Sequence, residues 1–322
     1  MAKTKHTFKP VYVWPNPAFP FRIYYESPKC RIFIIENMRN NWNWMYEWHE
    51  KFRPTDVFFI YTGWYQSAGT AKDTDEIIRL LDLKRENFFY LFNSPLEQSN
   101  FSQFDIQGEV INHNTWLDEN QVMKPLNLQK EYDAIYVARR SAFKRHELAG
   151  KVNKLALVAG INHGNAEVEL PPHTYLNDQQ LVPDEVCEMI NKAACGLILS
   201  ETEGACFASS EYLLCGVPVV STPSFGGRDV WYNDYNSIIA EPTAESVALA
   251  VEDMVRWPRN PARVRQMHLD QATLYRQKFI ATLEDIFARF GVTDIDAATY
   301  FKDTFFHKLR RSYVPKFNEI FG

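Results

Sequence analysis

Short apolar runs alternate with helix-like segments along most of this chain of 322 residues. In the first third of the chain the runs lie at residues 31–37, 56–61, 87–92 and 109–112. Apolar runs of this length, without polar alternation, are typical of strands that are buried on both faces. Because helical patterns separate most of them, the order is β-α-β, which predicts a parallel sheet covered by helices.

The same alternation begins again after a polar, proline-containing segment at residues 118–133. A change of composition of this kind is typical of a boundary between domains. The sequence therefore predicts an α/β protein of two Rossmann-like, doubly wound domains, the first at residues 1–128 and the second at 129–297. In the second domain we predict strands at 134–138, 154–160, 196–200, 217–221 and 237–241, and helices at 142–152, 183–194, 209–215 and 244–257.

Composition excludes several classes of protein. A formal net charge of −5 argues against bulk binding of nucleic acid. No apolar run approaches the length of a membrane-spanning helix, and the first residues lack the apolar region of a signal peptide. The 5 cysteines are odd in number and lack C-x-x-C spacing, which favours free thiols over a disulfide framework or a zinc site. We therefore expect a cytoplasmic protein.

The segment ETEGACFAS, residues 201–209, follows a predicted strand and consists mainly of small residues. That strand would deliver the segment to the carboxyl edge of the sheet, where open α/β sheets bind ligands. Gly204 permits a positive φ, and Ser209 or Ser210 can cap the helix that follows. The backbone amides of residues 204–207 would then lie at a helix N-terminus, which is a favourable position for an anion.

Two glutamates in this segment suit the recognition of a sugar. Glu203 lies in the predicted loop and Glu211 in the predicted first turn of the helix, where the helix dipole favours a carboxylate by roughly 0.3–1 kcal/mol. An ionised carboxylate accepts two hydroxyl hydrogen bonds, which a ribose or hexose diol offers. A simpler interpretation stays open, in which Glu211 caps its helix and Glu203 is solvated.

A basic pair follows the predicted strand at 134–138. Arg139 and Lys144 lie in the segment YVARRSAFK. Fixed cations in a dry cleft stabilise the negative charge that develops on a leaving diphosphate. The alternative is that this segment is the solvated, basic start of a helix.

Together these residues resemble the retaining GT-B glycosyltransferases of the family-four type. Glu203 and Glu211 match the E-x₇-E signature, and C-G-x-P-V-V follows it at residues 215–220. Arg139 and Lys144 match the spacing of the family's basic pair, although alanine replaces the glycine that usually precedes the arginine. The segment 109–125 is similar, more loosely, to the family's domain junction. The resemblance covers residues 109–257 well and residues 31–108 only as a general plan.

The resemblance implies a GT-B fold, in which the two domains face a cleft, and a defined reaction. A hexose would pass from a nucleotide diphosphate sugar to a glycan or another hydroxyl acceptor with retention of configuration, without a metal or other cofactor. Glu203, Arg139 and Lys144 would be catalytic. The donor would be bound by Gly204, Ala205, Cys206, Phe207 and Glu211. Residues 298–322 would pack back onto the first domain, or the basic, aromatic tail at 305–317 would contact a membrane that carries a lipid-linked glycan acceptor.

The first domain departs from the family. It is short, and Gly63 and Trp64 stand where the family often has a histidine that contacts the donor sugar. His113 follows a predicted strand and is a candidate substitute on the acceptor or donor-sugar side, although a lone histidine is more often structural. The aromatic residues at 42–48 form either a platform for an acceptor sugar or part of the core.

Two D-x-D triplets, at 73–75 and 294–296, would suggest a metal in another glycosyltransferase fold, but both resemble helix caps. No metal site is therefore predicted. Two alternatives to a glycosyltransferase remain: a non-catalytic protein that binds sugar nucleotides or glycans, and a GT-B nucleotide-sugar epimerase. The epimerase would require further acids and histidines in the first domain, which the sequence does not provide.

Overall fold

The computed structural model describes residues 21–36, 38, 41–160, 168–309 and 317–322. The chain divides into two compact units: unit 1 comprises residues 1–113 and 276–322, and unit 2 comprises residues 114–275. The sequence predicted domain boundaries between residues 128 and 129 and between residues 297 and 298. The first boundary in the structure lies earlier in the chain than predicted, because the segment predicted as a linker is bonded into unit 2. The backbone amide of Leu126, for example, donates to Oδ1 of Asn191 at 2.7 Å.

Unit 1 contains a five-stranded sheet whose strands follow one another in chain order. Strands β2 to β5 are parallel, and β1 pairs with β2 in the antiparallel direction. The strands are β1 (Phe21–Glu26), β2 (Arg31–Glu36), β3 (Asp56–Tyr61), β4 (Phe88–Phe92) and β5 (Gly108–Val110). The helices between them are α1 (Trp42–Trp48), α2 (Ala68–Leu80) and α3 (Pro95–Ser102).

The two faces of this sheet are covered by different parts of the chain. Helices α1, α2 and α3 all contribute to one hydrophobic cluster with alternate strand residues such as Phe58. Successive side chains of a strand point to opposite faces, and the neighbouring Phe59 packs against Phe279 with ring centroids 5.6 Å apart. The second helical layer of unit 1 therefore comes from residues after 275. Because this later part of the chain covers the second face, both faces of the sheet are covered although its strand order does not reverse.

The tryptophans at 42–48 belong to the core of unit 1. Trp42 and Trp44 are 6% and 5% exposed, and the ring of Trp48 stacks on Phe321 at 5.9 Å. The indole nitrogen of Trp44 donates to Oδ1 of Asn41 at 2.7 Å. Of the two interpretations of this aromatic segment, the structure supports packing for these three side chains.

Unit 2 contains a six-stranded parallel sheet in the order β11-β10-β9-β6-β7-β8. The order reverses between β6 and β9, so this sheet is doubly wound as predicted. Its strands are β6 (Tyr132–Val137), β7 (Leu155–Val158), β8 (Tyr175–Leu176), β9 (Ala193–Ile198), β10 (Val219–Ser221) and β11 (Ser237–Ile239). Its helices are α4 (Pro183–Asn191), α5 (Phe207–Leu214), α6 (Ala244–Arg256) and the first part of α7 (Pro261–Arg289).

Helix α7 continues into unit 1, where α8 (Ala297–Asp303) and α9 (Phe317–Phe321) follow it. Phe321 belongs to the hydrophobic cluster of unit 1, and the guanidinium of Arg31 donates to the carbonyl oxygen of Ile320 at 3.1 Å. Residues 310–316, in the middle of the basic tail singled out from the sequence, lie outside the described part of the chain.

Two local predictions were wrong. Residues 142–152 form two short 3-10 turns instead of an α-helix, because Arg145 between them adopts a left-handed conformation with φ of 50°. The triplet at 73–75 lies inside α2, whose N-cap is Ser67, and so it does not begin a helix. Asp75 pairs instead with Arg79 at 2.7 Å and with Arg85. In the triplet at 294–296, Asp296 caps α8 by accepting from the amide of Thr299 at 2.8 Å.

Candidate functional site

The strand order of unit 2 reverses between β6 and β9. In open α/β sheets, ligands bind beyond the carboxyl ends of the strands at this point of reversal. Two segments leave the sheet there, residues 138–145 after β6 and residues 199–206 after β9. They carry all the residues predicted for the donor side except Phe207 and Glu211, which lie on the following helix α5.

The loop after β9 is bonded to the loop after β10. The amide of Glu203 donates to the carbonyl oxygen of Phe225 at 3.0 Å. The amide of Phe225 donates in turn to the carbonyl oxygen of Glu201 at 2.8 Å. Gly226 has a φ of +117°, and a Cβ atom there would lie 1.9 Å from the carbonyl oxygen of Glu203. Only glycine fits this close approach, so the second loop fixes the backbone of Glu203.

Helix α5 begins earlier and differently than the sequence predicted. Its N-cap is Cys206, which has a φ of 54° and makes no side-chain cap. The left-handed residue of this loop is therefore Cys206 and not Gly204. Because the helix begins at Phe207, Glu211 lies in its second turn instead of the first. The favourable effect of the helix dipole, which falls off within the first turn, does not account for this carboxylate.

The predicted cap at Ser209 or Ser210 is also wrong, because both hydroxyls bond elsewhere inside unit 2. Ser209 Oγ donates to the hydroxyl of Tyr232 at 2.8 Å. Ser210 Oγ accepts from Nδ2 of Asn114 at 2.8 Å, and the same amide donates to the carbonyl oxygens of residues 205 and 206 at 2.9 and 3.0 Å. Asn114 therefore holds the start of α5, a role that sequence patterns did not indicate.

Glu203 and Lys144 form an ion pair at the point where the strand order reverses. Glu203 is 6% exposed and also accepts from Ser200 Oγ at 2.7 Å. The Lys144 side chain is 14% exposed, and its carbonyl oxygen accepts from the hydroxyl of Tyr136 at 2.5 Å. The interpretation of Glu203 as a solvated loop acid is therefore wrong. A buried pair of this kind depends on both partners, because removing one leaves an uncompensated charge.

Phe143 lies beneath both predicted cations. Its ring centroid is 4.8 Å from the guanidinium carbon of Arg139 and 5.0 Å from Nζ of Lys144. Arg139 is exposed at the surface of unit 2. A cation over an aromatic face is stabilised by the ring quadrupole, so Phe143 brings the two basic residues together while leaving the guanidinium of Arg139 accessible to a ligand.

Two further arginines, which sequence reasoning missed, join the strand ends behind the site. Arg145 donates to the carbonyl oxygen of Leu199 at 2.6 Å and to Oγ1 of Thr222 at 2.7 Å. Arg228 is fully buried and donates to the carbonyl oxygens of Ile198, at 2.9 Å, and Thr222. Both arginines are close to motif residues, but their roles depend on contacts distant in sequence.

The remaining donor-side residues line the same loop. Ala205 is 7% exposed, and the carbonyl oxygen of Gly204 accepts from the amide of Gly227 at 2.9 Å. Burial raises the pKa of the Cys206 thiol to about 11, so this cysteine stays protonated at neutral pH and does not act as a nucleophile. Phe207, the first residue of α5, is half-buried.

His146 lies directly behind Lys144. Its side chain is buried, and its ring centroid is 4.9 Å from that of Tyr136. Burial, together with the positive charges of Lys144 and Arg140, lowers the pKa of His146 to about 4. The imidazole therefore stays neutral at the pH values at which an exposed histidine becomes protonated.

Acidification should destabilise unit 2 through His146. The unfolded chain takes up a proton near pH 6.5 and the folded chain only near pH 4, so stability falls as the pH decreases through this interval. At about 1.4 kcal/mol per pKa unit, the loss approaches roughly 3 kcal/mol. Hydrogen exchange of unit 2 peptides between pH 4 and 7 measures it. His146→Gln should flatten the pH dependence relative to the unmodified chain, whereas the exposed His173→Gln should leave it unchanged. Equal pH dependence in both variants would contradict the prediction.

His113 lies at the carboxyl edge of the sheet in unit 1. Its Nε2 is 3.0 Å from Oε1 of Glu36, and its ring stacks on that of Tyr61 with centroids 4.7 Å apart. Glu36 also pairs with Arg22 at 3.2 Å. The structure therefore places His113 among charged and aromatic side chains at the carboxyl edge of this sheet.

Gly63 and Trp64 lie in the loop after β3. Gly63 is exposed and Trp64 is 38% exposed. The loop is held by the buried Glu97, which accepts from Oγ1 of Thr62 at 3.2 Å and from the amide of Gln66 at 3.0 Å. Burial raises the pKa of Glu97 to about 7. Trp64 therefore presents an aromatic surface on a loop that is anchored from within the unit.

Among the described residues, no group of three or more histidine, cysteine, aspartate or glutamate side chains is arranged to hold a metal ion. Within the same part of the chain, none of the helices combines the length and the apolar character needed to cross a bilayer.

Residues 119–267 match the family model described as glycosyl transferases group 1. The matched stretch contains both segments that leave the sheet where the strand order reverses, and it contains α5 with Glu211. A sequence search of curated proteins gave no match.

The fold is similar to that of several solved glycosyltransferases. The α,α-trehalose 6-phosphate synthase of Burkholderia multivorans matches with a TM-score of 0.56 and 12% identity, over 84% of this chain and 73% of that one. A trehalose-6-phosphate synthase studied for glycosyltransfer with retention matches with a TM-score of 0.55 and 12% identity, over 80% and 74%.

TarM is a further protein of similar fold. One structure of it has a TM-score of 0.54 and 13% identity, over 78% of this chain and 54% of that one. The S. aureus TarM variant solved with UDP, alpha-GlcNAc-glycerol and fondaparinux has a TM-score of 0.50 and 11% identity, over 71% and 51%. The chain thus spans about half the length of TarM. These similarities, with the two parallel-sheet units, define the GT-B fold that the sequence predicted.

Proposed function

We propose that the protein is a glycosyltransferase that takes a sugar from a nucleotide diphosphate donor bound to unit 2. The observation that carries this proposal is the meeting of Lys144 and Glu203 where the strand order of unit 2 reverses. A cation and a carboxylate from two different strand ends suit a ligand that carries both phosphates and sugar hydroxyls. The match of residues 119–267 to the glycosyl transferases group 1 model supports the same class of reaction.

In this proposal the charged side chains have separate roles. Lys144 and the exposed Arg139 bind the diphosphate and stabilise its charge as it leaves. Glu211 on α5 accepts hydrogen bonds from the ribose hydroxyls, and Glu203 contacts the transferred hexose. The backbone amides of residues 204–207 complete the phosphate site. Because Lys144 and Glu203 are paired in the free protein, donor binding would redistribute the hydrogen bonds of an ion pair that already exists.

Further features of the reaction are proposed from the resemblance to retaining GT-B glycosyltransferases. Transfer proceeds with retention at the anomeric carbon and without a metal ion. The similar trehalose-6-phosphate synthase, which was studied for glycosyltransfer with retention, supports the first of these features. The similar TarM, which was solved with UDP and a GlcNAc-bearing compound, supports a nucleotide sugar donor and a glycan acceptor. The acceptor side would include Gly63, Trp64 and His113 of unit 1.

Nucleotide binding gives the primary test. Thermal unfolding is measured with UDP, GDP, ADP and dTDP, each in excess. A ligand present at 100 times its Kd adds roughly 2.7 kcal/mol of stability, so one nucleotide should give a clear shift. Absence of a shift with all four would contradict the donor site in unit 2. Release of free nucleoside diphosphate in the presence of a glycan acceptor would then distinguish an enzyme from a binding protein.

Glu211→Ala should remove at least about half of this stabilisation, because a tenfold weaker ligand at the same concentration adds only roughly 1.4 kcal/mol. A hydrogen bond to a charged group contributes about 1.5–3 kcal/mol, so losing the ribose contact should weaken nucleotide binding by at least tenfold. The matched control is Glu188→Ala, which removes an exposed helical glutamate on α4. If Glu211→Ala keeps the full thermal shift, Glu211 does not contact the nucleotide.

A further inference from the structure

A buried pair of thiols lies in unit 2, away from the strand reversal. Sγ of Cys187 on α4 is 3.8 Å from Sγ of Cys215, which directly follows α5. The two residues are only 2% and 1% exposed. A disulfide bond is about 2.05 Å long, so the two sulfur atoms, 3.8 Å apart, would have to approach each other by about 1.8 Å to form one. The bond would cross-link α4 to the end of α5.

The surroundings of the two thiols make them different from each other. Nδ2 of Asn191 donates to the sulfur of Cys187 at 3.6 Å, and the thiol of Cys215 lies within hydrogen-bond distance of the same sulfur. The hydrogen bond between the two thiols is the main cause that lowers the pKa of Cys187. The same bond and burial raise the pKa of Cys215. The contact between the two thiols thus makes Cys187 the more easily ionised of the pair, which is the order that attack and resolution require.

A cavity lies beside the segment that carries Cys215, although neither thiol is among its lining residues. It has a volume of about 310 Å³ and lies at the amino edge of the sheet in unit 2. Its lining includes Gly216, the residue after Cys215, and Lys130. Nζ of Lys130 donates to the carbonyl oxygen of Asn191 at 2.8 Å, and its charge interacts favourably with a thiolate at Cys215. A hydroperoxide is small enough for this cavity.

We propose that Cys187 and Cys215 form a reversible disulfide on reaction with a hydroperoxide. The thiolate of Cys187 attacks one oxygen of hydrogen peroxide, the O–O bond breaks, and a sulfenic acid forms at Cys187. The other oxygen leaves as hydroxide and becomes water by taking up a proton equal to the one that the Cys187 thiol released on ionising. Cys215 then loses its proton and attacks the sulfenic sulfur, forming the S–S bond and releasing the second water. The two thiols lose two electrons and two protons, and hydrogen peroxide is reduced to two molecules of water.

The proposal concerns the chemistry of the thiols and does not depend on the function proposed for unit 2. It also singles out one pair among the 5 cysteines of the chain. Cys195 is fully buried in β9, and burial raises its pKa, as it does for Cys30 and Cys206. These three thiols therefore stay protonated and react slowly with peroxide.

Mass spectrometry of the native chain tests the proposal without any substitution. The chain is treated with one equivalent of hydrogen peroxide, alkylated, digested and mapped. We expect a linked peptide pair that contains Cys187 and Cys215, loss of two free thiols per chain, and recovery of both after reduction with dithiothreitol. Oxidation that appears first at another cysteine, or linkage that appears only after denaturation, would overturn the proposal.

Two variants sharpen this test. Cys187→Ser should abolish the linked peptide and leave Cys215 reduced, because the attacking thiolate is gone. Cys195→Ser, a change at another buried thiol of unit 2, should leave the linkage between the other two unchanged. If Cys187→Ser loses two thiols as fast as the unmodified chain, the assignment of the pair is wrong.

Discussion

Replacing Lys144 with alanine is expected to lower kcat/KM for sugar transfer by about 10²–10³-fold, the range seen when one group that stabilises transition-state charge is removed. Two effects act together. In the proposed reaction the leaving diphosphate loses a fixed cation, and the carboxylate of Glu203, 6% exposed, loses its ion-pair partner. Initial rates with the nucleotide sugar identified by thermal shift, measured over a range of donor concentrations, separate changes in kcat from changes in KM.

Unit 2 offers a matched control for this substitution. Lys151 and Glu245 also form a lysine–glutamate pair, but their side chains are 58% and 63% exposed. This exposed pair lies outside the segments that carry the candidate site, so Lys151→Ala should leave kcat/KM unchanged. Lys144→Arg keeps the charge and should recover part of the activity. If Lys144→Ala behaves like Lys151→Ala, Lys144 has no role in the reaction.

The second large effect is expected for Gly226→Ala. The residue has a φ of +117°, and the new Cβ atom would lie 1.9 Å from the carbonyl oxygen of Glu203. Backbone strain of this kind costs about 1–3 kcal/mol, and overpacking commonly costs a further ~1–3 kcal/mol. The joined loops should therefore separate, with strong destabilisation of unit 2 and loss of nucleotide binding. Hydrogen exchange of residues 199–229 would report the separation directly.

Gly291→Ala is the control that separates strain from steric overlap. Gly291 also has a positive φ, of 65°, but a Cβ atom there has no neighbour within 4 Å. Its replacement should cost only the penalty of a left-handed alanine, about 1–2 kcal/mol. If Gly226→Ala costs no more than Gly291→Ala, the close approach of the two loops does not exist in solution.

Much of the fold could be predicted because its signals are local. The apolar run at 56–61 coincides with β3, and the runs at 31–37 and 87–92 lie over β2 and β4. Strands buried on both faces leave a continuous apolar pattern in the sequence. The antiparallel edge strand β1 has no such pattern and was missed. The same β-α-β order accompanies a reversal of strand order in unit 2 and none in unit 1, so the order of elements alone does not determine it. The packing of residues 298–322 onto the first domain was implied by the family resemblance, whereas the contribution of residues 276–297 was not.

The candidate site was predicted in its residues but not in its geometry. Lys144 and Glu203 could be named because each follows a strand in a motif with characteristic spacing. The start of α5 was placed wrongly because serine near an apolar run usually signals a cap, while here a left-handed Cys206 begins the helix. Asn114 and Arg228 were missed because their partners are distant in sequence, and spacing carries no information on such contacts.

Unit 1 is formed by two separate stretches of the chain, so the order in which the ribosome synthesises them affects its folding. Unit 2 is encoded without interruption and can fold as soon as residue 275 has left the exit tunnel. The strands of unit 1 are synthesised first, but one face of their sheet stays uncovered until Phe279, which packs against Phe59, has been synthesised. For that interval an apolar sheet surface is open to chaperones, and translation that halts within α7 would release a chain prone to aggregate.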